Sequence, residues 1–198
     1  VKGRVKKADV TGVDIEVKDA RTNQVATITL KPSDITEIKW DVNDADYRSG
    51  VAAFDGGAFQ QAAQRFTSLT DAETLNGIRA EARAAVFYYA AESLYRSGKA
   101  AEAVPMFEKL MNDYKTSWYV PMAVGSLVDA AVQTKELAKV PALLQQLRTL
   151  GGEQKPLADY YEGQMLLAQN KIKDADVRFT SAVTGSSAAS TRGMALMG

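Results

Sequence analysis

The chain has 198 residues, 46% of them hydrophobic, enough for a packed core in one large domain or two small ones. Lys plus Arg and Asp plus Glu each number 24, so the formal net charge is zero. The first 43 residues carry a net charge of only +1 and the remainder −1, which argues against nucleic acid as a partner, and the lack of any Cys or His excludes disulfides, thiolate or imidazole metal sites, and Ser–His or Cys–His nucleophile pairs.

No apolar run approaches the roughly 18 residues that a membrane-spanning helix needs. The chain opens at Val1 rather than Met and reads as a trimmed or processed segment. A Cys-free chain suits a bacterial periplasm or envelope and equally the cytoplasm, so localisation stays open between them.

Residues 1–43 read as a small β module. Val13, Ile15 and Val17 alternate with Asp14, Glu16 and Lys18 in the manner of a half-buried strand. Val25, Ile28 and Leu30 mark a second strand, and Thr11-Gly12 and Ala20-Arg21-Thr22-Asn23 read as hairpin turns. Lys31-Pro32-Ser33-Asp34 breaks the chain before a last short strand through Ile35 and Ile38 to Trp40. Three to four antiparallel strands make a sheet too small to stand alone. It is expected to pack on the first helical hairpin, with Trp40 or Val42 at the join. The short strands and glycine turns around Gly3-Arg4-Val5, Gly12–Val17 and Asp34–Ile38 resemble an SH3-like or Sm-like barrel. That resemblance implies an RNA- or peptide-binding module; the alternative is a structural cap or oligomerisation element on the repeats. Asp41, Asn43, Asp44 and Asp46 lack the spacing, glycine and distant Glu of a calcium loop. Asn43 or Asp44 instead suits the N-cap of a helix that begins near Ala45.

From Asp44 onward the apolar period changes from 2 to 3.6. The pattern predicts helices over residues 45–55, 58–69, 78–96, 100–112, 118–133, 137–150, 155–168 and 172–183, a loop over 71–77, and the start of a further helix within 186–198. A motif recurs at intervals of about 35–41 residues, which means stacked helical hairpins. Its first helices carry a small residue at Gly50, Ala91 and Gly163, its turns fall at Gly57, Gly98, Lys135 and Asn170, and its second helices carry Ala62, Ala103 and Ala175 followed by Phe66, Phe107 and Phe179. The small residues are expected where helix backbones approach closely. The third copy departs, with Val128 and Val140 at the small-residue positions and Lys135 at the turn. Pro105 and Pro141 are expected at matching depth in their helices, bending both.

On these residues the array resembles tetratricopeptide repeats. The fold expected is therefore mainly α: an α–α superhelix of about four such hairpins over residues 44–198, preceded by the antiparallel β module of residues 1–43. In that family the first helices line a concave groove that binds a protein or peptide. Carried over position by position, the resemblance implies groove residues Tyr47, Val51 and Phe54; Tyr88, Glu92 and Tyr95; Met122, Asp129 and Val132; and Leu157, Tyr160 and Gln164. The spacing of Tyr88, Glu92 and Tyr95 puts them on one helical face without reference to any family. The competing expectation is that these tyrosines simply pack between neighbouring hairpins. The groove positions lack the Lys/Asn/Arg clamp with which chaperone-binding members hold a peptide carboxylate.

Nothing in the sequence assembles an active site. Asp55-Gly56-Gly57 lacks the Gly-Lys-Ser/Thr of a phosphate loop, and the pairs Glu81/Glu92 and Asp159/Glu162 read as solvated helix faces. No cofactor or metal is expected. The sequence points to a non-catalytic adaptor or scaffold. The alternatives are a structural subunit of a larger or self-assembled complex and a nucleic-acid-binding barrel tethered to repeats.

Overall fold

The computed structural model describes residues 2–187 and 189–197; Val1, Ala188 and Gly198 lie outside the described residues. Strands β1 (Arg4–Asp9), β2 (Gly12–Lys18) and β3 (Val25–Leu30) form an antiparallel sheet in the order β1-β2-β3. Val5, Ile15 and Ile28 stand in register across it, as do Ala8, Val13 and Leu30. Val13 and Ile15 are buried on the inner face with Ile38. The Asp19 carboxylate accepts the backbone N–H groups of Arg21 (2.8 Å) and Thr22 (2.7 Å) and closes the second turn.

Three expectations for this module are corrected. The sheet has three strands and stays open, so it is no SH3-like or Sm-like barrel. The expected last strand is absent among the described residues: Pro32–Asp34 forms a single 3-10 turn and residues 35–44 run without a ladder. Side chains hold that segment instead. Ile38 fills the underside of the sheet, and the Trp40 indole N–H donates to the Tyr119 hydroxyl at 2.8 Å. Trp40 thus joins the two cores, as expected, and Val42 enters the helical one. The sheet, however, docks through its backbone on the loop after the second hairpin rather than on the first. Val10 N–H donates to the Thr116 carbonyl (2.9 Å) and Trp118 N–H to the Ala8 carbonyl (3.3 Å). That loop satisfies groups at the β1 edge that would otherwise need water or another strand.

The helices follow in neighbouring pairs and make up 63% of the chain. The hairpins are α1 (Ala45–Asp55) with α2 (Phe59–Ser68), α4 (Ala80–Arg96) with α5 (Ala100–Asp113), α6 (Val120–Thr134) with α7 (Val140–Thr149), and α8 (Gln154–Ala168) with α9 (Ile172–Gly185); α10 (Ala189–Met197) follows. Asp44 caps α1, its carboxylate accepting from Tyr47 N–H at 2.9 Å. The segment expected as a loop between the first two hairpins contains a short helix, α3 (Ala72–Gly77). Its cap is Asp71, whose carboxylate accepts from Glu73 N–H (3.1 Å) and Thr74 N–H (3.0 Å).

All four hairpin turns are built alike. Gly57, Gly98, Lys135 and Asn170 have φ of 76°, 81°, 61° and 59°. The next residue in each case donates its N–H back across the turn: Ala58 to Ala53 O (2.8 Å), Lys99 to Leu94 O (2.9 Å), Glu136 to Ala131 O (2.9 Å) and Lys171 to Leu166 O (2.9 Å). This is the Schellman ending of a helix, which requires one left-handed residue.

Within each hairpin the small residue of the first helix faces the bulky residue of the second. A Cβ added at Gly50 would come 2.9 Å from the Phe66 ring, and one at Gly163 would come 2.6 Å from the Phe179 ring. Ala91 and Phe107, and Val128 and Leu144, occupy the same places and are buried. In the third hairpin Val128 replaces the small residue, and α6 there touches α5 and α8 more extensively than its own partner α7. The two prolines are not equivalent. Pro105 lies inside α5, whereas Pro141 sits in the first turn of α7, where its missing N–H costs nothing.

Candidate partner-binding cleft

The first helices of the last three hairpins, α4, α6 and α8, present side chains to one another across a cleft of about 510 Å³. It is lined by Tyr88, Glu92 and Arg96 from α4, Met122, Gly125, Ser126 and Asp129 from α6, and Tyr160, Tyr161 and Gln164 from α8. Of the groove positions named from the sequence, it brings together Tyr88, Glu92, Met122, Asp129, Tyr160 and Gln164. Tyr95 adjoins it, its hydroxyl donating to Asp129 Oδ2 at 3.4 Å.

The other named positions lie elsewhere. Tyr47 is 2% exposed, packed edge-on to Phe66. It borders, with Val51, a smaller cleft of about 210 Å³ shared with Trp40, Tyr89 and residues 37–39. At that end the segment leading from the sheet lies against α1. Phe54 packs edge-on to Phe59 and Tyr89, and Val132 and Leu157 are half-buried against the main core. Packing between elements thus accounts for Tyr47 and for much of Tyr88, which stacks on Tyr119 with centroids 5.0 Å apart.

Four lining residues carried no signal in the repeat motif: Arg96, Gly125, Ser126 and Tyr161. Tyr161 stands beside Tyr160 and so falls off the single face that the repeat pattern selects. Its place is set by Gly125, where a Cβ would come 2.6 Å from the Tyr161 hydroxyl. A glycine in the middle of α6 is the one sequence feature that could have flagged it, because such a residue weakens a helix unless a neighbour needs the room.

The electrostatics of the cleft are acidic. Glu92 is buried at 4% exposure, contrary to its reading as part of a solvated face. Its Oε1 accepts from Arg96 Nε at 2.6 Å. The Arg96 guanidinium in turn lies 5.4 Å and 5.2 Å from the ring centroids of Phe54 and Phe59. Burial, and then the neighbouring Glu92, push the Tyr88 phenol well above its ordinary pKa. Burial, followed by Tyr160 and Asp129, pushes Tyr161 up to about 12. Both rings therefore stay neutral and act as apolar walls with a polar tip.

The second carboxylate pair read as solvated is corrected too. Asp159 is 2% exposed. Arg148 from α7 bonds it at 2.9 Å and also pairs with Glu162, while Arg178 from α9 reaches Glu162 at 3.0 Å and Ser181 donates to Asp159 at 2.8 Å. This cluster ties three helices together. Among the described residues no group of His, Cys, Asp or Glu is arranged to hold a metal ion.

The comparison with known proteins rests on the α4–α5 hairpin. Residues 85–117 match the family model described as Tetratricopeptide repeat. The matched segment begins inside α4, passes through the Gly98 turn and ends in the loop that receives the β sheet. The other three hairpins repeat this tetratricopeptide unit's left-handed turn, and the mostly helical fold with its small N-terminal sheet fits a tetratricopeptide-repeat protein carrying a β module. Neither the comparison with curated proteins nor that with solved structures gives a match. A tetratricopeptide repeat points to protein–protein interaction. No described helix is long and apolar enough to cross a membrane.

Proposed function

We propose that the chain is a non-catalytic adaptor or scaffold that binds a segment of a partner protein against its first helices, with the cleft of α4, α6 and α8 as the centre of that surface. The observation that supports this reading is the convergence of three tyrosines, two carboxylates and Gln164 from three separate helices on one open cleft. Such a surface is preformed by packed helices, so it loses little entropy on binding. Its aromatic rings are the kind of rigid anchor that dominates affinity at interfaces. The division into a β module (residues 1–43) and a repeat array (44–198) belongs to the same proposal, with the sheet acting as the N-terminal cap of the array.

Met122 is 48% exposed and lines the cleft, so Met122→Trp adds bulk there without touching the core. Affinity capture with the wild-type chain and with this variant tests the reading. A partner held by the first and lost by the second supports it, and equal retention counts against the cleft.

One observation favours a second reading, that of a structural subunit. At the far end of the array, Ile172 (64% exposed) and Leu196 (74%) border, with Leu167 and Val183, an apolar surface. Sedimentation at micromolar concentration separates the two: a self-assembling subunit associates, an adaptor stays monomeric.

A further inference from the structure

Within the cleft one polar atom is left unsatisfied by the fold. Glu92 uses Oε1 for Arg96, but Oε2 is buried and has no hydrogen-bond partner among the described residues. A buried carboxylate oxygen without a donor is costly, because it has given up water and gained nothing in return. Arg96 is engaged elsewhere, against Oε1 and between the rings of Phe54 and Phe59. One helix away Asp129 is exposed, accepts a long hydrogen bond from the Tyr95 hydroxyl, and has no ion pair among the described residues. Two carboxylates against one committed guanidinium leave the cleft net negative. Its rims are the rings of Tyr88, Tyr160 and Tyr161, the last two packed edge-on at 4.9 Å.

We infer that the cleft receives a cationic side chain of the partner polypeptide, arginine in preference to lysine, with Glu92 Oε2 accepting its N–H and the tyrosine rings flanking its stem. An arginine supplies several donors in one plane, satisfying Glu92 and Asp129 together, and its flat head lies well on aromatic faces. A charge-assisted bond to a buried carboxylate is among the stronger polar contacts available. The same charge pattern repels a free peptide carboxylate. This inference rests on the groove reading above and adds the chemistry of the ligand.

The test uses a library of end-capped short peptides randomised at every position, selected on the full chain. Peptides retained by wild type and released by Met122→Trp are expected to share an arginine or lysine. Binding of one such peptide is then measured for wild type, Glu92→Gln and Asp129→Asn, and again with citrulline, the neutral isostere, in place of its arginine. Citrulline is expected to weaken wild-type binding about tenfold or more and to have little effect on Glu92→Gln. Glu102→Gln on α5, remote from the cleft, serves as the control. Selected peptides that depend on Met122 but lack a basic residue, or that bind Glu92→Gln as well as wild type, overturn the cationic site and leave the groove reading standing. If wild type retains no peptide that Met122→Trp releases, the groove reading falls and the cationic site falls with it.

Discussion

Phe179 lies over Gly163 so closely that a Cβ on the glycine would come 2.6 Å from ring atom Cε1. Phe66 lies over Gly50 in the same way, at 2.9 Å, in the first hairpin. Alanine is the better helix former by about 1 kcal/mol, so propensity alone favours substitution at both sites. Crowding of a buried ring outweighs it, with a typical cost of about 1–3 kcal/mol. Urea titrations of Gly50→Ala and Gly163→Ala are therefore expected to show lower stability. Gly77→Ala, where a Cβ meets nothing within 4 Å, is expected to show none of that loss. Equal midpoints for all three variants would contradict the close-packing account.

The four left-handed turns make a second comparison. Lys135 and Asn170 hold the conformation that Gly57 and Gly98 adopt without strain. A left-handed residue with a side chain costs about 1–2 kcal/mol, and less for Asn than for Lys. Lys135→Gly is expected to raise stability by about 1 kcal/mol and Asn170→Gly by less. Gly98→Ala is expected to lower it. Thermal melts of the three variants rank them directly.

Arg148 is the cation that α7 contributes to Asp159 and Glu162 on α8. Removing it leaves Asp159 buried against only the longer contacts of Lys155 (3.7 Å) and Arg178 (3.9 Å) and the hydroxyl of Ser181. Breaking a buried pair on one side costs about 3–5 kcal/mol. Arg148→Met is expected to lose stability on that scale, and the double variant Arg148→Met with Asp159→Leu to recover part of it. A loss under about 1 kcal/mol would put the cluster with ordinary surface pairs.

Alkaline pH acts through the buried tyrosines. Burial raises the phenols of Tyr47, Tyr88 and Tyr119, and raises those of Tyr89 and Tyr161 to about 12. In the unfolded chain they ionise near 10. The stability they contribute is therefore complete below about pH 10 and is lost as pH rises through the folded values, because the unfolded state releases protons first. Circular dichroism is expected to report helix loss beginning between about pH 10 and 12, with the late tyrosinate absorbance rising in the same step. Ionisation of all eight tyrosines near pH 10 with the helices intact would contradict this.

The repeat array was legible in the sequence because its determinants are local. Gly57 and Gly98 mark turns by type, and Phe66, Phe107 and Phe179 follow their small partners at one fixed offset. The stretch after Asp71 reads as a loop because six residues are too few to show a helical period, and the Asp71 cap is what fixes α3 there. Strand alternation does not say whether a sheet closes, so the open sheet reads as part of a barrel, and the partner of the β1 edge, the Thr116–Trp118 loop, lies far along the chain. The burial of Glu92 and Asp159 was likewise hidden. Their spacing suits a solvated face: Asp159 is removed from water by neighbours on other helices, Arg148 above all, and Glu92 pairs with Arg96 on its own helix while lining the cleft between α4, α6 and α8. Tyr161 escaped for the same reason, since its seat is a glycine on α6.

A photo-crosslinking amino acid placed at Met122 in the cleft, and in a second chain at Glu102 on α5, tests the central claim most directly. Each chain is irradiated in extract of the source cell after both are shown to be equally helical. The account predicts a discrete cross-linked partner from position 122 and none from position 102. Cross-links from position 102 alone, or the same products from both, would contradict a binding site on the first helices.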